Sequence, residues 1–130
     1  MVHWSERYIG RPYVLGESDC ARLGCDVRRE VFGLPVPEEA EPGRAPSAYG
    51  RFQQMRDGVE EYGDQTDDPQ DGDSVLMFCR GRDSHIGVYA VVNGEPCVLH
   101  AMKNAGMTVL HRLRDLPRYN LHVEGFYKWK

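Results

Sequence analysis

The feature that most restricts what this chain can become is the dipeptide Asn93-Gly94, set between the runs HIGVYAVV (85–92) and PCVLHAM (96–102). A two-residue hairpin turn needs positive φ at both central positions, which Asn and Gly tolerate, and its twist matches that of paired strands. A β-hairpin is therefore expected here. SVLMFC (74–79), a short apolar run bounded by turn residues, precedes it as a buried strand. MTVLHRL (107–113) follows a second turn at Asn104–Gly106, and NLHVEGFYKW (120–129) supplies a last strand.

The first half of the chain has a different period. GRPYVLGESDC reads as a loop, marked by Pro12 and Gly16, that ends where a helix begins. Ser18 or Asp19 can cap that helix, because a short side-chain oxygen accepts a bond from an orphan N–H of the first turn. Leu23, Val27 and Val31 recur at helical spacing from Cys20, and Gly33 closes the segment. Residues 2–9 can form a short first helix with Trp4 and Tyr8 or Ile9 on one side. LPVPEEAEPGRAP (34–46) holds four prolines and is a loop. A second helix is expected from Ser47 to near Gly63, weakened by Gly50 and Gly58, and 64–73 is an acidic, turn-rich connector. Helices first and hairpin-linked strands second define an α+β fold, with N-terminal helices on a central antiparallel sheet. The whole of 1–130 fits a single domain.

Charge and cysteine usage exclude several functions. Sixteen basic against twenty acidic residues leave −4, with no basic block or basic helix face to hold nucleic acid. No apolar run approaches the ~18–20 residues of a membrane span. MVHWSERYIG lacks a basic region followed by an apolar core, so synthesis in a cytoplasm without a signal peptide is expected. Cys20, Cys25, Cys79 and Cys97 form no CxxC pair and no Cys/His cluster at zinc spacing, so no metal is expected. Cys20 and Cys25 point to different sides of their helix. Cys79 and Cys97 fall on separate strands that can be neighbours, with free thiols the expectation in a reducing compartment.

One constellation carries chemistry. A thiol at a helix N-terminus sits in a partial positive field that favours the thiolate, the form a nucleophile needs. Alternation puts His85, Gly87 and Tyr89 on one face of their strand, and Val98, His100 and Met102 on one face of theirs. Whether the two histidines share a face depends on a register the sequence leaves open. With the Cys20 helix laid across that face, His85 would take the thiol proton and later protonate the leaving amine. His100 would fix the tautomer and orientation of His85. The Cys20 backbone N–H is a candidate oxyanion donor, and Tyr13 a phenolic donor near the sulfur. Taken singly each has a plainer meaning. A free Cys on an apolar helix face is ordinarily a small core residue, and a strand His is ordinarily structural. His3, His111 and His122 are given that structural reading, and Tyr13 alone would be a packing residue.

The runs GRPYVLGESDC, GDSVLMF, SHIGVY, NGEPCVLHA and GFYKW, in this order, resemble the NlpC family of papain-like cysteine peptidases. They are most similar to the short versions encoded with bacteriophage tails and gene-transfer agents. That pattern has a Pro-Tyr loop, Asp-Cys opening a helix, Gly-Asp before a strand, His-x-Gly in the next strand, and a polar residue, often His, in the strand after. The resemblance implies a papain-like (NlpC) fold with Cys20 as nucleophile, His85 as base and His100 as orienting residue. It places Tyr13, the loop tyrosine, and Asp19, of the Asp-Cys pair, on the substrate and oxyanion side. Cell-wall members commonly follow the cysteine with Ser-Gly, where this chain has Ala21-Arg22, a difference bearing on substrate or packing. The implied activity is hydrolysis of peptidoglycan stem peptides at a γ-D-glutamyl bond to a diamino acid, with no metal or organic cofactor. The implied setting is a phage tail or tail-like virion, where tail-tip or hub proteins would be partners. The 34–46 and 64–73 loops are candidate docking sites, with solvated surface loop the plainer reading of both. The competing expectations are a structural tail component of the same fold with little or no activity, and an amidase or acyltransferase acting on another acyl bond.

Overall fold

A computed structural model describes residues 3–14, 18–36, 63–79 and 83–129. A short 3-10 helix, Trp4–Arg7, is followed by helix α1 (Cys20–Glu30). Six strands come next: β1 (Gly63–Thr66), β2 (Ser74–Cys79), β3 (Asp83–Val92), β4 (Glu95–Met102), β5 (Met107–Arg112) and β6 (Leu121–Trp129). A further 3-10 helix, Leu113–Tyr119, joins β5 to β6. The strands form one antiparallel sheet in the order β1-β6-β2-β3-β4-β5. The architecture is α+β.

Local chemistry explains where α1 starts and stops. Asp19 is extended, with φ −84° and ψ −177°, and its Oδ1 accepts from the Arg22 N–H at 3.0 Å. At the far end Gly33 takes φ 63°, while the Arg29 and Arg28 carbonyls accept from Gly33 and Leu34 N–H. The apolar stripe of α1 meets the sheet. Leu23 and Val27 pack with Tyr8, Val88 and Leu99, and Cys20 packs with Leu76, Ile86 and Ala101. The other face of the sheet is covered too, where Val75, Met77, Tyr89 and Val98 pack with Leu116 and Leu121.

The β3–β4 turn has Asn93 at φ 52° and Gly94 at φ 78°, the double positive φ that motivated the hairpin. β2 to β5 are a meander of consecutive neighbours, and β6 returns to lie between β1 and β2. The loop before α1 is docked by its backbone. Gly10 N–H donates to Thr108 O at 2.8 Å, Thr108 N–H to Arg11 O at 2.9 Å, and Tyr13 N–H to Gly106 O at 2.9 Å. Arg11 Nη1 then donates to Asp26 Oδ2 at 2.8 Å, tying this loop to the middle of α1.

Several expectations are corrected. The start of the 64–73 connector is strand: β1 pairs Asp64 with Lys128 and Thr66 with Phe126. Its sequence GDQT is polar because an edge strand is held by backbone bonds and has little to bury. The first helix is one 3-10 turn, with Tyr8 buried and Ile9 exposed. Cys79 and Cys97 are not neighbours, since they pair with Asp83 and Ala90, toward opposite ends of β3. Cys20, Cys25 and Cys97 are free thiols. Most of the 34–46 loop and the helix expected from Ser47 to near Gly63 lie outside the described residues, and Gly63 opens β1.

Candidate active site

Cys20 is the first residue of α1, and Asp19 holds that terminus together. The Cys20 side chain is 3% exposed and rests on Ile86 and Ala101, the residues that follow His85 and His100 in the chain. Tyr13 and Tyr127 pack against the same cluster. Ser18 accepts from the Val14 N–H at 3.1 Å and donates to the Pro12 carbonyl, which folds the loop bearing Tyr13 back over the start of α1.

The imidazoles meet across β3 and β4. His85 Nε2 lies 2.8 Å from His100 Nδ1. His100 is fully buried, and its Nε2 lies 3.0 Å from His111 Nδ1. His111 in turn stacks on Tyr119, with ring centroids 4.0 Å apart. The contact between His85 and His100 leaves Nδ1 of His85 as the nitrogen that can face another group.

Backbone geometry explains the meeting. The β3–β4 ladder runs from Val92–Glu95 to Val88–Leu99 and stops there, although both strands continue. Past that point β4 folds across Gly87. A Cβ at Gly87 would stand 2.5 Å from Val98 Cγ1, 3.0 Å from Leu99 O and 3.2 Å from His100 Cβ. Only a residue without a side chain lets β4 come this close, and the close approach puts the two rings in contact. Alternation sends Ile86 and Ala101 toward α1 and the two histidines to the other side of their strands. At this level both strands stay paired to their outer neighbours, His85 with Met77 of β2 and His100 with Val109 of β5.

Burial sets the charge state. It pushes the His85 pKa down to about 4. His100 is lowered well below the usual histidine value, by burial first and then by its His85 and His111 neighbours. His111 is also lowered by burial, with Asp115 acting against the shift. At neutral pH the three rings are therefore uncharged, and each carries one N–H and one lone pair.

The structure thus joins His85 to His100 ring to ring and seats Cys20 on the residue beside each. Tyr13 belongs to the same cluster. Asp19 is the helix cap, as expected, 1% exposed with its carboxylate accepting from the Arg22 N–H. His111 was missed as a member of the cluster. Built about the Asn104–Gly106 turn, the register Met102–Met107 pairs Val98 with His111, which makes His111 the diagonal neighbour of His100. His3 caps the first 3-10 turn, accepting from Ser5 N–H at 3.1 Å, and His122 stacks on Phe78. Among the described residues no group of His, Cys, Asp and Glu is arranged to hold a metal ion, and no helix is long and apolar enough to cross a membrane.

Comparison with protein-family models, with curated proteins and with solved structures finds no match.

Proposed function

We propose that this chain is a cysteine peptidase of papain-like NlpC architecture that hydrolyses peptidoglycan stem peptides. Cys20 is the nucleophile, His85 the base and His100 the orienting residue. The observation that supports this most is the 2.8 Å contact from His85 Nε2 to His100 Nδ1, in a chain whose Cys20 heads a capped helix. With the His85 proton on Nε2, Nδ1 is the lone pair that takes the thiol proton. The Cys20 thiolate attacks the amide carbonyl, and the Cys20 N–H at the helix start stabilises the oxyanion. His85 gives its proton to the leaving amine, a thioester remains, and water activated by His85 releases the acid. The bond proposed is the γ-D-glutamyl link to a diamino acid, and the setting proposed is a phage tail or tail-like virion.

The test is digestion of purified sacculi with product analysis by mass spectrometry. Wild type is expected to release stem-peptide fragments with a new amino terminus on the diamino acid, and Cys20→Ala none. Equal products from both would remove the activity.

A second reading, a structural tail component of the same fold with little activity, is favoured by one observation. Cys20 lies 3% exposed in an apolar cluster, where a core thiol would lie. It requires intact sacculi after incubation with the folded wild-type protein.

A further inference from the structure

His100 has two ring nitrogens and a partner at each, His85 at Nδ1 and His111 at Nε2. A neutral imidazole has one N–H, so the two contacts cannot both be donated by His100. Two arrangements satisfy the row of rings. In one, every ring carries its proton on Nε2. His85 then donates to His100, His100 donates to His111, and His85 Nδ1 is a bare lone pair. In the other, every proton sits on Nδ1. His111 donates to His100, His100 donates to His85, and His85 Nδ1 is already protonated and cannot take a proton from a thiol. The base is usable in the first arrangement only.

We propose that His111 is a positioning residue that holds His100 in the Nε2–H tautomer, and through it keeps His85 Nδ1 free as the base. The proposal rests on the reading of His85 as the base of Cys20. Its geometric ground is that His100 is fully buried, so a proton on its Nε2 has His111 Nδ1 as its acceptor. Without that acceptor a buried N–H would be orphaned, which folded proteins rarely tolerate, whereas an unsatisfied acceptor is tolerated more often. The proton would then move to His100 Nδ1 and point at His85, reversing the row. Stacking on Tyr119 holds the His111 ring in the plane that presents Nδ1.

The experiment uses the full chain with 15N-labelled histidine, and reads the tautomer of each ring by two-bond nitrogen–proton correlation at pH 7.5. His111→Phe keeps the stack on Tyr119 and removes the acceptor. His111→Asn restores an amide oxygen near the place of Nδ1. Wild type is expected to show His85 and His100 as Nε2–H. In His111→Phe the Nδ1–H form of both is expected to become the major one, with kcat down at least about tenfold and KM little changed, and His111→Asn is expected to recover both tautomer and rate. An Nδ1–H His100 in wild type, or His100 unchanged in His111→Phe, overturns the proposal. If His111→Phe does not fold, the wild-type and His111→Asn spectra still decide it. The tautomers are read without substrate, so a protein with the expected tautomers and no peptidase activity sinks the proposed function alone. An active protein whose tautomers ignore position 111 sinks the His111 role alone.

Discussion

His100 touches two rings and no solvent, so its replacement separates orienting from packing. His100→Leu removes both partners and is expected to lower turnover by at least about a hundredfold, since a base held in the wrong tautomer is a poor base. Its cost in stability is expected to be about 1–3 kcal/mol, for the orphaned nitrogens of its neighbours. Val27→Ala is the counterpart, because Val27 is 1% exposed under α1 and away from the rings. It is expected to cost about 2 kcal/mol through the cavity and leave kcat within about twofold. Urea unfolding beside steady-state kinetics reads both, and a His100→Leu variant with full turnover would end its assigned role. At this scale Cys20 at the start of α1 and the two histidines on adjacent strands were legible from the helical period and the Asn93-Gly94 hairpin. His111 was not, because its place beside His100 is a diagonal contact that appears only once β4 and β5 are in register. Asp19 was legible as a cap, because a short acidic side chain before a helical period can accept from the first turn.

The hairpin of β3 and β4 depends on Gly87 more than on any side chain near it. Gly87→Ala would drive a methyl into Val98, whose branched side chain is stiff, and against the Leu99 carbonyl, so β4 must move. The expected result is a Tm lower by several degrees and kcat lower than folding loss explains, because the same shift parts His85 from His100. Unchanged kcat in folded Gly87→Ala would show that the close approach is not what joins the rings. The α1 cap is a second element-level test. Asp19→Ala is expected to cost about 1 kcal/mol, and Asp19→Ser to recover most of it, by thermal unfolding. The elements themselves were readable where their chemistry is local: the Asn93-Gly94 turn, the alternation of β3 and β4, and the apolar stripe of α1. β1 was unreadable because GDQT carries no apolar period and is strand only through its backbone partner β6. The return of β6 between β1 and β2 is likewise a long-range pairing with no signature in nearby residues.

For the molecule as a whole, the row of imidazoles ties stability to pH. His85 titrates near 4 in the folded state and near the ordinary 6.5 once unfolded. Between those values the unfolded chain holds more protons, so stability falls as pH falls through that window and levels off below it. His85 alone contributes on the order of 3 kcal/mol by this route, and His100 and His111 shift in the same direction. The urea midpoint is expected to drop between pH 7 and pH 4.5, and to drop less in His85→Gln. A flat or rising wild-type midpoint would show that the folded state does not depress His85. The α+β class was legible from the order of helix and hairpins, while the end of the β3–β4 ladder at Val88–Leu99 was not, because it depends on the close approach of β4 to Gly87. The peptidase reading requires the Cys20 sulfur on α1 to reach a His85 ring that alternation sends to the other side of β3. The direct measurement is the second-order rate of Cys20 alkylation by iodoacetamide from pH 5 to 9, followed by peptide mass spectrometry, in wild type and His85→Gln. Alkylation of Cys20 well ahead of Cys25 and Cys97, collapsing in His85→Gln, is the result expected. A Cys20 that reacts no faster than the other two thiols, and is indifferent to residue 85, would contradict the account.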